Sequence, residues 1–233
     1  SMIDTILFDL DNTLLDFSKA ERIALRHTLQ QLHIPPCEHT LIRYSQLNQQ
    51  QWELLEQGKI TREQVKVRRY RLLFEELGVD CSAEQAAHIY ETQLGIGHYF
   101  MEGAEALLEQ LCKTYRLYAL TNGTASVQRS RSASAGLDRF FEEIFISEEV
   151  GVPKPQKAYF DYCFARIPGF CRERAILVGD SLTSDILGGR NAGVRTVWFN
   201  PAQAPGRADI RADDEIARLC ELPPLLARLN GGQ

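Results

Sequence analysis

Five short, almost wholly apolar segments are spaced along the chain, and they constrain its fold more than any other feature. Runs of this length and composition are typical of parallel strands that are covered on both faces. Between the later runs, apolar residues recur at helical spacing, and strands that alternate with helices predict a parallel α/β sheet. The five predicted strands are Asp4–Asp9, Leu117–Leu120, Ile144–Ile146, Ile176–Val178 and Thr196–Phe199.

The stretch from residue 17 to residue 98 contains no convincing strand pattern. It has three matches to the helix capping box, in which Ser or Thr is followed three residues later by Glu or Gln. The capping-box matches are Ser18…Glu21, Thr61…Gln64 and Ser82…Gln85, and the candidate helix ends are Gly58, Gly78 and Gly95. We therefore predict an α/β fold with a three-layer, Rossmann-like parallel sheet core at residues 2–16 and 99–233. An inserted α-helical cap domain is predicted at residues 17–98.

The charge balance and the cysteines narrow the class of protein. The chain has 26 Lys and Arg against 31 Asp and Glu, a formal net charge of −5, which argues against a binder of nucleic-acid polymers. No apolar run approaches the roughly 18–20 residues that span a bilayer, and the first residues do not resemble a signal peptide. Six scattered cysteines without a CxxC pair are typical of free cytosolic thiols, so we expect a cytoplasmic protein with no membrane partner.

The end of the first predicted strand carries the sharpest chemical signal. Asp9 and Asp11 lie two residues apart there, followed by Thr13. Because the carboxyl ends of parallel strands face the ligand crevice, both carboxylates can converge on one metal or one reacting group. The alternative interpretation is a capped turn, since Asp, Asn and Thr are common after strands.

Three further strand ends also carry polar side chains. The second strand ends at Thr121 and Asn122, the third is followed by Lys154 between two prolines, and the fourth leads into Asp180 and Asp185. Taken singly, each has a structural explanation: a turn, a surface lysine, or an Asp at a helix N-terminus. Together they place hydroxyl, ammonium and carboxylate groups at one edge of the sheet, and that arrangement predicts a reaction centre.

This set of residues resembles the four motifs of the haloacid dehalogenase superfamily. The matching positions are Asp9-x-Asp11-x-Thr13, then Thr121, then Lys154, then Gly179-Asp180 with Asp185. The resemblance implies that Asp9 is the nucleophile and that Asp11 protonates the leaving alcohol and then deprotonates water. It implies that Thr121 and Lys154 hold the phosphoryl oxygens, with Asn122 as a further substrate-binding residue.

The charge of these groups predicts a metal cofactor. Four carboxylates and one ammonium group carry a net charge of −3, which repels a phosphate dianion unless a divalent cation is present. Oxygen ligands beside a phosphate favour Mg²⁺. The resemblance implies Mg²⁺ ligation by Asp9, Asp180 and the backbone carbonyl of Asp11, while Asp185 either ligates the metal or orients water or Lys154.

The residue at position 11 separates activities within the superfamily. Dehalogenases keep no acid there and ion-pumping ATPases have Thr, so Asp11 implies hydrolysis or transfer of a phosphate ester. Segments such as Glu56–Thr61 and Ile146–Gly151 resemble bacterial pyrimidine 5′-nucleotidases of subfamily IA, which act on nucleoside monophosphates. The resemblance thus predicts a phosphoric monoester hydrolase whose partner is a small phosphomonoester; it predicts no oligomeric state.

The motifs also suit other functions, and the inserted stretch contains further candidate residues. The same core also suits a phosphatase or mutase for sugar phosphates or phosphoglycolate and, more distantly, a non-enzymatic receiver-like phospho-switch. Four aromatic residues are candidates to stack on a base, although packing within the cap's own core is the favoured explanation for each: Phe17, Trp52, Tyr70 and Tyr99. The cluster of Lys66, Arg68, Arg69 and Arg71 is expected to form a solvated helix face.

Overall fold

The core of the protein is a six-stranded, all-parallel sheet. The computed structural model describes residues 2–231. The strands are β1 (Thr5–Phe8), β2 (Arg116–Thr121), β3 (Glu143–Ile146), β4 (Ala175–Gly179), β5 (Arg195–Phe199) and β6 (Asp214–Ile216). Their order in the sheet is β3-β2-β1-β4-β5-β6, so the first strand of the chain lies in the interior of the sheet. The five predicted strands are confirmed, whereas β6, which is only three residues long, was not predicted.

The register of β1 sets the position of the residues that follow it. Phe8 is level with Ala119 of β2 on one side and with Val178 of β4 on the other. The next residue of each strand therefore lies at the same edge of the sheet, because the strands are parallel. This is the edge at which Asp9 leaves β1.

Helices cover both faces of the sheet, as expected for a three-layer α/β fold. The helices of the core are α5 (Ala104–Leu111), α6 (Ala125–Ala135), α7 (Ser147–Val150), α8 (Lys157–Arg166), α9 (Leu187–Asn191) and α10 (Leu222–Leu229). Ile6 and Phe8 belong to an apolar cluster with α5 and α10, whereas Leu7 belongs to a second cluster with α8. Successive β1 side chains thus face opposite layers, and the whole strand is buried.

The chain divides into two compact units. One contains the chain up to Phe17 together with the chain from His98 onward, and the other is Ser18–Gly97. The helices of this inserted part are α1 (Phe17–Gln31), α2 (Glu38–Glu56), α3 (Arg62–Leu77) and α4 (Ala83–Ile96). Within the described residues 2–231, no helix is long and apolar enough to cross a membrane.

The helix ends of the inserted unit follow the predicted caps only in part. Thr61 and Gln64 form a complete capping box, and Gly78 ends α3 in the left-handed conformation with φ of 66°. Ser82 accepts a hydrogen bond from the Gln85 backbone. Two expectations are wrong by one or two residues: α1 begins at Phe17, so Ser18 lies inside it, and Gly95 lies inside α4.

The inserted unit has a polar cluster in its interior. The rings of Tyr44, Tyr70 and Tyr90 join α2, α3 and α4, with centroids 5.1–5.8 Å apart. The guanidinium group of Arg69 lies 4.9–5.8 Å from these ring centroids and donates a hydrogen bond to Asn48 at 2.8 Å.

The expectation that the basic residues of α3 form a solvated face is wrong for two of them, which are buried. Arg69 and Lys66 are only 6% and 9% exposed. The Tyr44–Tyr70–Tyr90 cluster shields Arg69, and the Glu63 and Glu91 carboxylates pair with Lys66 at 3.4 and 3.7 Å. Arg71, by contrast, lies at the surface.

Candidate active site

Asp9 lies at the centre of the site, immediately after β1. Its backbone N–H donates to the Val178 carbonyl, which extends the sheet by one residue. One carboxylate oxygen accepts a hydrogen bond from Lys154 Nζ at 2.9 Å, and the other lies 3.3 Å from the hydroxyl of Thr13. Burial raises the pKa of Asp9 to about 7, although the nearby ammonium group of Lys154 acts in the opposite direction.

A tight loop after Asp9 brings Thr13 back towards it. The backbone N–H groups of Thr13, Leu14 and Leu15 all donate to the Leu10 carbonyl. Asn12 has φ of 60°, a left-handed conformation that Asn adopts more readily than most residues. The Thr13 hydroxyl therefore lies 3.3 Å from both Asp9 and Asp180, and links the first and last motifs.

Asp11 points to helix α6 rather than to Lys154. Its Oδ1 accepts a hydrogen bond from Arg131 Nη1 at 2.5 Å, and its Oδ2 accepts one from Gln128 Nε2 at 3.1 Å. The Asp11 side chain is 25% exposed, whereas the Arg131 side chain is completely buried. Both carboxylate oxygens of Asp11 are thus held by donors from one helix.

Thr121 lies at the end of β2 and is 1% exposed. Its hydroxyl oxygen accepts hydrogen bonds from the Gly123 backbone at 3.2 Å and from Gln128 Nε2 at 2.8 Å. A hydroxyl has one hydrogen and two acceptor positions. Because both acceptor positions are used, the hydrogen of Thr121 is left to donate.

Lys154 is 2% exposed and forms ion pairs with two carboxylates at once. Its ammonium group donates to Asp9 at 2.9 Å, to Asp185 at 2.7 Å and to the Leu120 carbonyl at 2.7 Å, which accounts for all three of its hydrogens. Burial by itself lowers the pKa of Lys154, but Asp185 and Asp9 outweigh burial and raise this pKa above its usual value.

Asn122 holds the backbone of Lys154. Its amide nitrogen donates to the Lys154 carbonyl at 3.0 Å, and its amide oxygen accepts from the Lys154 N–H at 2.8 Å. This reciprocal pair explains how a residue from the loop after β3 reaches the end of β2. In the structure Asn122 therefore orients Lys154, a contact that the sequence did not indicate.

Asp180 and Asp185 complete the acidic group. Besides Lys154, Asp185 accepts a hydrogen bond from the Ser181 backbone at 3.1 Å, so each of its oxygens has a donor. A Cβ atom on Gly179 would lie 2.4 Å from the Asp185 carboxyl carbon, so this close approach requires glycine. Asp180 has one oxygen 3.3 Å from Thr13.

These carboxylates form a candidate metal site. Asp9, Asp180 and Asp185 each present an oxygen within 4.8 Å of the others. Burial raises the pKa of Asp185 to about 7, with the charge of Asp9 adding to the effect. Burial likewise raises the pKa of Asp180 to about 6, with Asp185 as the next contribution. The raised pKa values mean that burial disfavours the ionised carboxylates, so a bound cation would stabilise them, and an oxygen-only donor set fits Mg²⁺.

The residues that the sequence analysis missed are Gln128 and Arg131. They lie three residues apart on α6, so they share one face of that helix. Gln128 Oε1 also accepts a hydrogen bond from Arg131 Nη1 at 2.9 Å. A Cβ atom on Gly123 would lie 2.4–2.6 Å from the Gln128 side chain, so glycine at this position leaves room for it. The only sequence signal was two polar residues at helical spacing behind Thr121.

The candidate base-stacking residues differ in their surroundings. Phe17 is half-buried, and its ring lies 5.5 Å from the Arg131 guanidinium carbon. Tyr70 is fully buried in the tyrosine cluster, where it packs the inserted unit. The indole N–H of Trp52 donates to Asn48 Oδ1 at 3.0 Å, and the guanidinium carbon of Arg62 lies over the Trp52 ring, 5.4 Å from its centroid.

Comparison with known proteins finds a matching family model and several similar proteins. The model of the haloacid dehalogenase-like hydrolases matches residues 6–199. The chain is 40% identical to the Bacillus subtilis HAD-hydrolase YfnB over 95% of this chain and 94% of that one. A crystal structure of YfnB bound to magnesium superimposes with a TM-score of 0.94, at 39% identity, and the match covers 97% of this chain and 99% of that one.

Two further relatives have named activities. The chain is 37% identical to the pyrimidine 5′-nucleotidase PynA of Streptococcus pneumoniae, over 84% of this chain and 83% of the other. It is 31% identical to the pyrimidine 5′-nucleotidase YjjG of Escherichia coli, over 97% and 98% of the two chains.

Proposed function

The chain belongs to the haloacid dehalogenase-like hydrolase family, and we propose that it is a Mg²⁺-dependent phosphomonoester hydrolase acting through an aspartyl phosphate. The preferred substrates are pyrimidine nucleoside monophosphates. The observation that carries this proposal is the position of Asp9, buried at the end of β1 between an ammonium group and a hydroxyl, with Asp11 two residues further on. A carboxylate nucleophile splits one difficult displacement into two easier steps.

Asp9 is the group that attacks phosphorus. Its carboxylate forms a bond to phosphorus while the ester P–O bond breaks, and the electron pair of that bond goes to the leaving oxygen. The ammonium group of Lys154, 2.9 Å from Asp9, favours the ionised nucleophile and opposes the effect of burial on its pKa. Asp9 is therefore kept reactive by a partner that cannot leave the site.

Asp11 moves the proton in both steps. In the first step its carboxyl proton joins the leaving alcohol oxygen. In the second, its carboxylate takes a proton from the water that attacks the aspartyl phosphate, and orthophosphate is released from Asp9. A positioned acid or base of this kind contributes about 10²–10⁴-fold to the rate.

The metal would be held by Asp9, Asp180 and the backbone carbonyl of Asp11. Asp185 already has both oxygens engaged by Lys154 and Ser181, which favours its role in orienting Lys154. When bound, Mg²⁺ supplies the positive charge that lets a phosphate dianion approach this carboxylate cluster.

Thr121 and Lys154 stabilise the charge on the phosphoryl oxygens. The Thr121 hydroxyl has its hydrogen available, because both of its acceptor positions are used within the protein. Lys154 contributes mainly through its fixed charge, since its three hydrogens have acceptors, and Asn122 holds its backbone in place. Fixed donors and charges of this kind are effective because they need no reorganisation during the reaction.

The choice of nucleotide rests on the two relatives named as pyrimidine 5′-nucleotidases. Phe17, which lies in the same unit as Asp9, has a half-buried ring and is a candidate base contact. The six cysteines are all free thiols, which fits a protein of the reducing cytoplasm.

A substrate screen tests the proposal. Purified protein with Mg²⁺ is assayed for phosphate release from nucleoside monophosphates, sugar phosphates and phosphoglycolate, with Asp9→Asn as the matched inactive control. We expect the highest kcat/KM for a pyrimidine nucleoside monophosphate. Fast turnover of a sugar phosphate without nucleotide hydrolysis would overturn the nucleotidase assignment, and absence of hydrolysis of any ester would overturn the phosphatase assignment.

A further inference from the structure

We propose that Arg131, held by Gln128, is a positioning residue that fixes the carboxyl group of Asp11 for proton transfer. The inference rests on the proposed phosphatase function and extends it to helix α6. The side-chain hydrogen bonds of these two residues go to Asp11, Thr121 and each other, rather than to Asp9, Asp180 or Asp185. Their effect on the reaction therefore passes through Asp11 and Thr121.

The burial of Arg131 is difficult to explain by stability. Its side chain is 0% exposed, and its Nε and Nη2 atoms have no hydrogen-bond acceptor among residues 2–231. A buried charged donor without a partner is unfavourable, because it has given up its hydration. Its compensating contacts are those of Nη1 with Asp11 and Gln128 and the contact with the Phe17 ring. The position of Arg131 is better explained by what it does to Asp11.

The hydrogen bonds of Gln128 connect two residues of the reaction. One nitrogen, Nε2, donates to Asp11 Oδ2 at 3.1 Å and to Thr121 Oγ1 at 2.8 Å, and its two hydrogens allow both bonds. Arg131 Nη1 closes the network by donating to Asp11 Oδ1 and to Gln128 Oε1. Asp11 therefore cannot rotate without disturbing Gln128, which also holds the residue assigned to the phosphoryl group.

The two oxygens of Asp11 have different roles in this arrangement. Oδ1 makes the shorter contact, 2.5 Å to Arg131, and acts as the anchor. Oδ2 makes the longer and weaker contact, 3.1 Å to Gln128, which leaves it the freer of the two oxygens to exchange the proton. Arg131 and Gln128 thus set the direction from which the proton reaches the leaving oxygen.

The test compares esters that differ in their need for an acid. 4-Nitrophenyl phosphate releases a stable phenolate, whereas uridine 5′-monophosphate, or the alkyl ester ranked first in the screen, releases an alkoxide that must be protonated. For Arg131→Met we expect kcat/KM of the alkyl ester to fall by about 10²-fold, the effect of a misplacement of about 1 Å. The value for 4-nitrophenyl phosphate should fall much less.

Matched variants separate positioning from loss of structure. Arg129→Met removes an exposed arginine of the same helix that pairs with Glu149 at 2.6 Å, and it should keep the wild-type ratio of the two kcat/KM values. Arg131→Lys should recover part of the lost alkyl-ester activity, because one nitrogen makes both of the Arg131 hydrogen bonds. Thermal unfolding of Arg131→Met checks that the variant is folded, because the substitution leaves Asp11, which is 25% exposed, without its ion-pair partner.

The possible outcomes separate this inference from the proposed function. An unchanged ratio of alkyl-ester to aryl-ester kcat/KM in folded Arg131→Met, with an active wild type, overturns the positioning role and leaves the phosphatase in place. If Arg131→Met does not fold, Gln128→Met provides the test. A selective loss of kcat/KM for the alkyl ester supports the positioning of Asp11, and an equal loss of kcat/KM for both esters overturns it. A wild-type protein that hydrolyses neither ester overturns the proposed function and this inference with it.

Discussion

Replacing Lys154 by Met tests the electrostatics on which the site depends. The lysine is 2% exposed and lies 2.9 and 2.7 Å from the carboxylates of Asp9 and Asp185. Methionine has a similar volume but no charge, so two buried carboxylates lose their common partner. Breaking a buried ion pair in this way costs about 3–5 kcal/mol of the free energy of unfolding.

The loss of stability should depend on pH in a defined direction. The pKa of Asp9 and that of Asp185 are each raised to about 7, and Lys154 lowers both, so its removal raises them further. A carboxyl group whose pKa is higher in the folded state than in the unfolded chain stabilises the fold when the pH lies below its pKa in the unfolded chain. This stabilisation is lost as the pH rises through its pKa in the folded state. At pH 5.5 the folded variant neutralises these carboxylates by binding protons at little cost, whereas at pH 8 proton binding is less favourable. We expect a larger deficit at pH 8 than at pH 5.5.

Urea unfolding of the EDTA-treated proteins, followed by circular dichroism, measures this deficit at both pH values. The matched control is Lys157→Met, because Lys157 is 78% exposed and pairs with Asp161 on the surface. The control should show no measurable change. A Lys154→Met deficit that is equal at the two pH values, or no larger than that of the control, would refute the electrostatic argument.

Three further predictions concern the nucleophile, the metal and a helix cap. Asp9→Asn should reduce phosphate release to background without lowering the thermal midpoint, because it removes a poorly solvated charge; measurable turnover contradicts the assigned nucleophile. EDTA should abolish activity and Mg²⁺ restore it, and Mg²⁺ should raise the thermal midpoint more at pH 8 than at pH 5.5, since the metal displaces protons from groups with pKa of about 7. A pH-independent stabilisation would argue against these ligands. Thr61→Ala should lower the free energy of unfolding by about 1 kcal/mol through loss of the capping box, and no change in urea unfolding would contradict that estimate.

The sheet and the polar side chains at one of its edges were predictable because their pattern is local. A buried parallel strand needs an apolar run, and each run of this kind ends in a polar residue where the chain leaves the sheet. Asp9, Thr121 and Asp180 follow directly from that rule. Lys154, the residue of the third motif, does not follow a strand directly but lies in a loop. Its reciprocal hydrogen bonds with Asn122 explain why its backbone lies at the end of β2.

Buried polar residues on helices were not predictable in the same way. Gln128, Arg131 and Arg69 occur in helices where polar residues are usually solvated, so their sequence pattern favours a surface. Their burial depends on partners distant in the chain: Asp11 for the first two, and Tyr44 and Tyr90 for Arg69. Such partners become visible only when the chain is folded.

The stem of the inserted helical unit has a consequence for how the chain can vary. The segments that lead into and out of it pair with each other: Leu15 bridges Phe100, and the Leu14 carbonyl and Asp16 N–H bond to Met101 and Tyr99 at 2.8 and 2.7 Å. The inserted helical unit is therefore equivalent to one long loop between β1 and the rest of the core, and these contacts join the two ends of that loop. Doubling the length of a flexible loop costs only about 0.6 kcal/mol in closure entropy. Insertions of different length can therefore be exchanged at this stem while β1 keeps its register and Asp9 its place.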